Sequence, residues 1–363
     1  METQKNKQDK KRILVINPGA TSTKIAVFAD ETPLFKTLVE HSNADLGQYS
    51  SVFDQREYRT GLVMQALAAE GIAIETMDAI VGRGGLLKPL PGGTYVVNEQ
   101  MVEDLKKAER GEHASNLGAV IALALASKLN IPAFIVDPVT VDELEPVARV
   151  SGFPEIERVS TAHTLNQKAV AHIVAQQLGK QYEDVNFIVV HLGTGISVTP
   201  HKKGKMIDTN NANEEGPFSL DRCGGVPSSA LVKLCYSGKY TYPELKGKLV
   251  GKGGMYAYLG TKDAREAEKM EKEGNQTAAL VLDALAYQVA KEIGAMAAVL
   301  CGEVDRIILT GGLANSKRVI DEIVRRIQFI APIVLMPGEQ EMEALAAGTL
   351  RVLRNEETAK KYE

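Results

Sequence analysis

Two short turns rich in glycine, serine and threonine interrupt apolar runs, one at residues 17–23 and the other at residues 191–197. In each case β-forming apolar residues precede and follow the turn, a pattern that predicts a β-hairpin. A turn of this composition offers several backbone N–H groups and hydroxyls at one point, which is how proteins bind phosphate oxygens. A third apolar run, residues 306–311, leads into the double glycine Gly311-Gly312. We therefore predict two phosphate-binding turns and one nucleotide-binding turn.

Length and composition predict a two-domain globular enzyme. The chain has 363 residues, of which 44% are hydrophobic, and can bury a large core. Its net charge of -4, with no basic stretch beyond the leader, predicts no nucleic-acid partner, because binding to nucleic-acid phosphates needs a concentrated cationic patch. The three cysteines are far apart and indicate neither a disulfide framework nor a zinc site, which favours a cytoplasmic location. No apolar run approaches the roughly 20 residues that a membrane-spanning helix needs, so we expect no membrane partner.

The order of apolar segments predicts α/β domains in which helices pack on sheets. The strands are expected at residues 13–17, 23–29, 34–40, 79–82 and 133–136, and the helices at residues 53–70, 114–129, 163–178 and 277–300. Residues 84–93 and 208–225 are expected to form loops.

The two hairpins begin two similarly built halves, which predicts a duplicated α/β domain. Two such domains with a nucleotide cleft between them form the actin-like (ribonuclease H-like) architecture, in which a hinge closes the cleft. We expect an N-terminal domain of residues 13–150 and 346–363 and a C-terminal, nucleotide-binding domain of residues 151–345. The polar, lysine-rich leader, residues 1–12, lacks the apolar core of a signal peptide and is expected to be a disordered tail.

Three charged side chains follow apolar strands or lie in a glycine-containing loop, where binding residues are common. Arg83 follows a short apolar strand beside glycines, and Arg222 lies in the glycine-containing loop 221–225. Asp137 ends an apolar strand, the usual place for sites in open α/β sheets. A guanidinium binds carboxylate and phosphoryl oxygens in pairs, although an arginine taken alone is more often part of a structural ion pair. The chain contains neither a P-loop nor a Rossmann glycine pattern.

Six motifs, in matching order over residues 13–354, resemble those of the acetate and butyrate kinase family. They are NPGATSTK from Asn17, VGRGG from Val81, EHASNLG from Glu112, DPVTVDE from Asp137, HLGTGIS from His191 and LTGGLA from Leu309. The likeness is closest to the butyrate kinases, including branched-chain fatty acid kinases. It implies reversible transfer of the ATP γ-phosphoryl group, with Mg²⁺, to a short-chain carboxylate, which yields an acyl phosphate and ADP.

The resemblance also implies roles for the cationic residues. Arg83 and Arg222 would line the substrate site and stabilise the transition state, in which two anionic reactants meet. His191 would donate a hydrogen bond to the transferring phosphoryl group. His163 resembles a further active-site histidine, and a structural histidine at a helix start is an equally good interpretation.

Two carboxylates that are far apart in the sequence would serve the magnesium ion. Mg²⁺ prefers one or two carboxylates, water and phosphate oxygens, and the resemblance selects Asp137 and Glu341. Glu339 and Glu343 flank Glu341, and the sequence leaves open which of the three serves the metal. Asn17 would orient a phosphate-bound water or a metal ligand.

Nucleotide contacts would come from the three turns. The candidate residues are Lys24, Gly193, Thr194, Gly195, Gly311, Gly312 and Asn315. Lys24 either binds phosphate or only caps the first turn. A double glycine before a helix is also common where a strand simply leads into a helix. Thr194 stands where many butyrate kinases have glycine, which would alter nucleotide handling slightly.

Two small residues favour a longer acid than acetate. Acetate kinases carry bulky apolar side chains shortly after the first arginine and immediately before the active-site histidine, where this chain has Gly85 and Ala162. Room for an extra methylene is worth at most ~1 kcal/mol, so we expect a four- or five-carbon acid with wide tolerance. The histidine-rich segment of acetate kinases is also replaced near Gln167, which puts the acetate assignment in doubt.

The sequence also leaves alternative functions open. The same turns would serve an acetate or propionate kinase, or a non-catalytic actin-like ATP-binding protein. The second arginine argues against the non-catalytic alternative, because such a protein has no carboxylate to bind. Transfer is expected to be direct and in line, with a phosphorylated Glu341 as the other possibility. The resemblance also implies a homodimer or a higher homo-oligomer.

Overall fold

Two separate β-sheets organise the chain, which a computed structural model describes from residue 10 to residue 363. One compact unit runs as far as Thr140 and also includes Glu341–Glu363, and the other is Val141–Gln340. Residues that follow Thr140 belong to the second unit because Glu143 pairs with Lys168 there and Glu145 donates its N–H to Ile207. The unit boundaries thus fall before the domain boundaries expected at residues 150 and 345.

The first unit contains a six-stranded sheet with helices packed on it. Its elements are β1 (Arg12–Pro18), β2 (Ser22–Ala29), β3 (Thr32–Glu40), α1 (Asn43–Leu46), α2 (Arg56–Ala69), β4 (Ala79–Arg83), β5 (Thr94–Val96), α3 (Glu99–Lys107), α4 (Asn116–Leu129) and β6 (Ala133–Val136), joined by the C-terminal helix Glu341–Leu353. The strand order is β3-β2-β1-β4-β6-β5. Strands β1 and β2 form the first predicted hairpin, and β1, β4 and β6 run parallel.

The second unit contains a five-stranded sheet. Its elements are α5 (Pro146–Arg149), α6 (Thr164–Gln177), β7 (Asn186–Leu192), β8 (Ile196–Lys202), β9 (Lys205–Met206), α7 (Ser228–Cys235), α8 (Tyr242–Leu249), α9 (Gly254–Leu259), α10 (Ala264–Lys272), α11 (Gln276–Val299), β10 (Arg306–Gly311), α12 (Lys317–Ile327) and β11 (Ile333–Pro337), so that the C-terminal helix of the first unit is α13. The strand order is β11-β10-β7-β8-β9, and β7 and β8 form the second predicted hairpin.

Five strands of the first sheet, all except β5, have the same topology as the second sheet. In each, an antiparallel run of three strands is followed by two parallel strands: β3-β2-β1 precede β4 and β6 in the first sheet, and β9-β8-β7 precede β10 and β11 in the second. Each unit encloses its own apolar core between the sheet and its helices. This repeated arrangement confirms the predicted duplicated α/β, actin-like fold class.

Close packing of helix α4 against strand β4 explains one glycine on each element, Gly82 on β4 and Gly118 on α4. A side chain at Gly82 would overlap the backbone of Gly118, and one at Gly118 would overlap the backbone of Arg83. The two glycines therefore allow α4 to lie directly against β4. Because of this contact, the strand end that carries Arg83 is fixed by backbone packing.

Several expectations from the sequence need correction. Strand β1 already begins at Arg12, whose backbone N–H donates to Asp78, so this residue is not part of a disordered leader. The remainder of the leader up to residue 9 lies outside the described residues. The sequence did not predict the helices between residues 228 and 272, because their residues are mostly exposed and show no long apolar stripe. None of the helices in the described part of the chain is long and apolar enough to cross a membrane.

Candidate active site

The first turn joins β1 to β2, and a buried arginine donates hydrogen bonds to its carbonyls. The Gly19 N–H donates to the Ser22 carbonyl at 2.7 Å, which closes the turn. Arg59 of α2 is 1% exposed and donates to the carbonyls of Gly19 and Ala20 at 2.9 and 3.2 Å. It also donates to the Oε1 atom of Gln55 at 2.9 Å. The carbonyls of the turn are thereby drawn towards the interior.

None of the hydrogen-bond partners of Arg59 carries a charge. They are three carbonyls, the Gln55 amide and the Thr23 hydroxyl. Burial lowers the pKa of Arg59, which nevertheless stays protonated because a guanidinium is not deprotonated in proteins. A buried cation that has no carboxylate partner among residues 10–363 produces a positive potential that favours an anion at the turn.

Sequence reasoning missed Arg59, although a signal was present. Within the predicted helix, Arg59 shares an i, i+4, i+8 spacing with the buried residues Val63 and Leu67. An arginine on the apolar face of an amphipathic helix must find hydrogen-bond partners inside the protein.

Asn17, Arg83 and Glu341 come together in the first unit. The Asn17 amide donates to Oε2 of Glu341 at 2.8 Å, and Arg83 forms an ion pair with Oε1 of the same carboxylate. Glu341 is the first residue of α13, whereas Asn17 and Arg83 lie at the ends of the adjacent strands β1 and β4. The carboxylate thus orients both predicted site residues.

The three neighbouring glutamates go to different partners. Glu341 binds Asn17 and Arg83, while Glu343 pairs with Lys36 on strand β3. Glu339 belongs to the second unit, where its Oε1 lies 3.7 Å from Nε2 of His191. Of the three carboxylates, only Glu341 contacts other predicted site residues of the first unit.

Asp137 adopts a backbone conformation that is uncommon outside glycine. Its φ of 38° lies in the left-handed region, directly after β6, and its side chain is buried. The Gly93 N–H donates to its Oδ1 at 2.7 Å, and the Asp137 N–H donates to the Gly93 carbonyl at 3.1 Å. Such conformations persist where surrounding structure enforces them, often at functional sites.

Asp137 and Glu341 are the two carboxylates of the first unit that were expected from the sequence to serve a magnesium ion. Within residues 10–363 no group of three or more His, Cys, Asp or Glu side chains could hold a metal ion. Mg²⁺ is commonly bound through one or two carboxylates plus waters and substrate phosphates. Asp137 and Glu341 are each hydrogen-bonded, as metal-binding carboxylates usually are.

The structure explains the presence of glycine at position 85 by packing, whereas the sequence suggested a larger acyl pocket. A Cβ atom at this position would lie 2.5 Å from Oδ1 and 2.6 Å from Cα of Asn116, and 2.8 Å from Leu105. It would therefore enter the packing between the loop and helices α3 and α4, not open space. Glycine at this position is required by close packing, so its small size does not indicate a larger acyl pocket. Ala162 is buried beside His163.

Lys24 lies on the exposed side of β2. It lines a surface groove with Lys36 and Leu38 of β3 and Met342 of α13. Neither of the two roles considered for Lys24, phosphate binding or capping of the turn, follows from this position.

In the second unit, Arg222 lies across the turn between β7 and β8. A side chain at Gly195 would overlap the Arg222 guanidinium, so glycine allows this close approach. Ser219 donates its hydroxyl to the Thr194 carbonyl and accepts the Arg222 N–H at 3.2 Å. The predicted phosphate turn and the predicted substrate arginine are thus brought together.

The Arg222 guanidinium is incompletely paired. Its Nη1 donates to the Ala212 carbonyl at 3.2 Å, while Nε is buried and has no hydrogen-bond partner among the described residues. Asp221 lies 3.9 Å from Nε and is shared with Lys262, which it contacts at 2.9 Å. Burial lowers the pKa of Arg222, and Asp221 partly offsets this effect. A cation with an unused buried donor can accept an anionic ligand.

His163 and His191 form a stacked pair. Their ring centroids are 3.8 Å apart and the planes differ by 6°. Nδ1 of His163 is 2.9 Å from the Ser197 hydroxyl, and Nδ1 of His191 is 3.0 Å from the Asn166 amide nitrogen. His163 directly precedes helix α6, which was expected from the sequence to begin at this residue. Asn166 was not among the predicted site residues, because nothing in the sequence shows which strand its amide faces.

The end of β10 adjoins the same turn. Thr310 pairs with His191 in the sheet, and a side chain at Gly311, whose φ is 92°, would overlap the Leu192 backbone. Around Gly312, by contrast, a Cβ would meet no atom within 4 Å. Asn315 donates to the Gly312 carbonyl at 3.0 Å and closes a short 3-10 turn. Gly311 is therefore needed for strand packing, and Gly312 leaves an open surface.

The predicted residues thus form two groups, each within one unit. The first unit joins Asn17, Arg83 and Glu341, and the second joins the histidine pair and Arg222 around the turn at Gly193-Thr194-Gly195.

Comparisons with known proteins identify the family and the fold. The profile of the Acetokinase family matches residues 156–351, which is more than half of the chain. The fold is similar to that of Porphyromonas gingivalis acetate kinase, with a TM-score of 0.76 and 19% identity over 94% of this chain and 100% of that one. It is also similar to a propionate kinase from Francisella tularensis subsp. tularensis SCHU S4, with a TM-score of 0.73 and 19% identity over 93% and 98%. For Entamoeba histolytica acetate kinase the TM-score is 0.74, with 16% identity over 93% and 99%. The chain belongs to the Acetokinase family.

Proposed function

We propose that this ATP-dependent carboxylate kinase acts on butyrate or a similar short- or branched-chain fatty acid. It transfers the γ-phosphoryl group of ATP to the carboxylate and produces an acyl phosphate and ADP, reversibly and in a direct in-line step. The observation that carries the proposal is the incompletely paired guanidinium of Arg222 at a phosphate-type turn.

Charge neutralisation is the main requirement of this reaction. The attacking carboxylate and the triphosphate are both anionic, so the protein must supply positioned cations and donors. Arg222 offers an unused buried donor, and Arg83 offers a guanidinium held in place by Glu341. We propose that these two arginines bind the carboxylate and the oxygens of the transferring group.

His191 is proposed to donate a hydrogen bond to the moving phosphoryl group. Its ring is 2% exposed and lies at the end of β7, beside the turn. Stacking against His163 and the contact with Asn166 restrict its orientation. A donor fixed before the reaction begins stabilises developing charge without further reorganisation.

Asp137 and Glu341 are proposed to hold Mg²⁺. When bound, the ion neutralises phosphate charge and orients the phosphate oxygens. In the chain itself, Gly93 fixes the Asp137 carboxylate, while Asn17 and Arg83 fix that of Glu341.

The choice of a four- or five-carbon acid depends on Ala162. A bulky residue before the active-site histidine would narrow an acyl site, and alanine does not. Because Gly85 is explained by packing against α4, a preference for acetate or propionate is the second candidate. Solved relatives with a similar fold are described as acetate and propionate kinases.

Trapping of the acyl phosphate with hydroxylamine tests the proposal. The purified chain is incubated with ATP, Mg²⁺ and each of acetate, propionate, butyrate, isobutyrate and valerate, and acyl hydroxamate is measured. Arg222→Ala is compared with Arg265→Ala, a matched arginine on an exposed helix surface that pairs only locally with Asp263.

We expect the highest kcat/KM for the four- and five-carbon acids, and a loss of about 10²-fold or more in Arg222→Ala only. A maximum at acetate or propionate would support the second candidate. If none of the acids gave hydroxamate, the proposed reaction would be wrong.

A further inference from the structure

A chain of buried hydrogen bonds determines which way the Asn166 amide points. The Gln340 backbone N–H donates to Oδ1 of Asn166 at 3.0 Å. Nδ2 of Asn166 donates to the Thr310 hydroxyl oxygen at 3.2 Å, and Thr310 donates in turn to the Gly338 carbonyl at 3.2 Å. Since a backbone N–H can only donate and a carbonyl can only accept, both ends of the chain have a defined direction.

The same chain determines the role of the histidine. With Oδ1 bound to Gln340, the Asn166 atom that lies 3.0 Å from Nδ1 of His191 is the amide nitrogen. An amide nitrogen is a donor only, so Nδ1 of His191 must accept. A neutral imidazole carries its proton on the other nitrogen, so the His191 proton lies on Nε2.

Nε2 of His191 lies at the second turn. A Cβ at Gly193 would be 2.9 Å from this nitrogen, so glycine keeps the space beside it free of a side chain. The ring faces His163, stacked at 3.8 Å, and Glu339, whose Oε1 is 3.7 Å from Nε2. An oxygen bound at the turn would therefore meet the protonated side of the ring.

We propose that Asn166 is a positioning residue that keeps the proton of neutral His191 on Nε2, so that this nitrogen donates a hydrogen bond at the turn of Gly193. The tautomer follows from the hydrogen-bond chain alone, whereas its effect on turnover rests on the proposed function. Asn166 does not itself contact the reacting groups; it acts through the ring of His191.

Nitrogen NMR of the histidine rings tests the tautomer directly. The chain has six histidines, and the signal of His191 is assigned in uniformly ¹⁵N-histidine-labelled protein by its loss in His191→Gln. Spectra at pH 8 are compared for the wild type, Asn166→Asp and Asn166→Ala. Asn186→Asp is the matched control. Asn186 is a buried asparagine at the start of strand β7, and His191 lies near the other end of that strand.

We expect wild-type His191 to show an unprotonated Nδ1 and a protonated Nε2, unchanged in Asn186→Asp. In Asn166→Asp a carboxylate oxygen replaces the amide donor, so Nδ1 should become protonated. In Asn166→Ala the two tautomers should mix. We expect kcat for acyl hydroxamate formation to fall about 10²-fold in Asn166→Asp, with little change in KM.

A wild-type ring protonated at Nδ1, or a tautomer that stays the same in both Asn166 variants, would overturn the proposal. So would a fall in kcat without a change of tautomer, which would indicate a structural role. If the wild type forms no hydroxamate, the proposed function fails while the spectrum still decides the tautomer.

Discussion

Gly85 offers a sharp test of the packing described above, because its replacement by alanine has two opposed expectations. In the structure, the new Cβ would lie 2.5 Å from Oδ1 of Asn116 and 2.8 Å from Leu105. The same Oδ1 accepts the Leu86 N–H at 2.9 Å. Gly85→Ala must therefore displace either the start of α4 or the loop.

The size of the effect can be worked from these contacts. Forcing a methyl group into a packed site costs roughly 1–3 kcal/mol, and loss of the Asn116–Leu86 hydrogen bond adds about 1 kcal/mol. Alanine lowers the conformational entropy of the unfolded chain, which raises the free energy of unfolding by about 0.5 kcal/mol. We expect Gly85→Ala to lower the free energy of unfolding by about 1.5–3.5 kcal/mol, measured by urea denaturation.

Gly61→Ala is the matched control in the same unit. Gly61 is an exposed residue inside helix α2, and a Cβ there would meet no atom within 4 Å. This change should raise the free energy of unfolding by roughly 0.5–1 kcal/mol. The acid preference in the hydroxamate assay is measured for both variants.

A Gly85→Ala protein as stable as the wild type, with a preference shifted to shorter acids, would refute the packing argument. It would show that position 85 faces the acyl group after all. A destabilised protein whose ranking of acids is unchanged agrees with the structure.

Three further changes address other residues. Arg59→Met should weaken ADP binding by about tenfold in calorimetric titration, because the first turn loses the donors to its carbonyls; an unchanged affinity would contradict this role. Gly195→Ala should raise KM for the acid about tenfold in the hydroxamate assay, because its Cβ displaces Arg222; a normal KM would exclude the close contact. Burial lowers the pKa of His201 well below its usual value, so only the unfolded chain takes up this proton as the pH falls below about 6.5, and stability falls with it. His201→Gln should reduce the slope of unfolding free energy against pH between 6.5 and 5 by up to about 1.4 kcal/mol per pH unit, and an unaltered slope in urea titrations would argue against a neutral buried ring.

Local patterns predicted the elements that carry the candidate site. Alternating and continuous apolar runs on both sides of a glycine-rich turn indicated the β1–β2 and β7–β8 hairpins, and both are present. This succeeded because a hairpin is formed by neighbouring residues, whose turn chemistry is visible in the sequence. Helices α7 to α10 were missed because their exposed sides provide little apolar periodicity.

Small residues were harder to interpret. Gly85 and Gly311 both lie within motifs of the site, yet the structure explains each by an approaching backbone or side chain. The sequence shows that a side chain is missing but not what occupies the space. Only the packed structure distinguishes a glycine that makes room for a ligand from one that makes room for a helix.

The sequence by itself determined the two hairpins, the glycine-rich turns and the family motifs, because each depends on residues that are close together in the chain. Tertiary structure alone decided the partners. Glu341 binds Asn17, 324 residues away, and Arg83, 258 residues away. Of the three neighbouring glutamates, Glu341 makes these contacts because it is the first residue of α13. Asn166 and Gln340, 174 residues apart, likewise orient the amide that faces His191. Hydrogen bonds need a donor and an acceptor within about 3 Å, and distance in space follows from the fold, not from the order of residues.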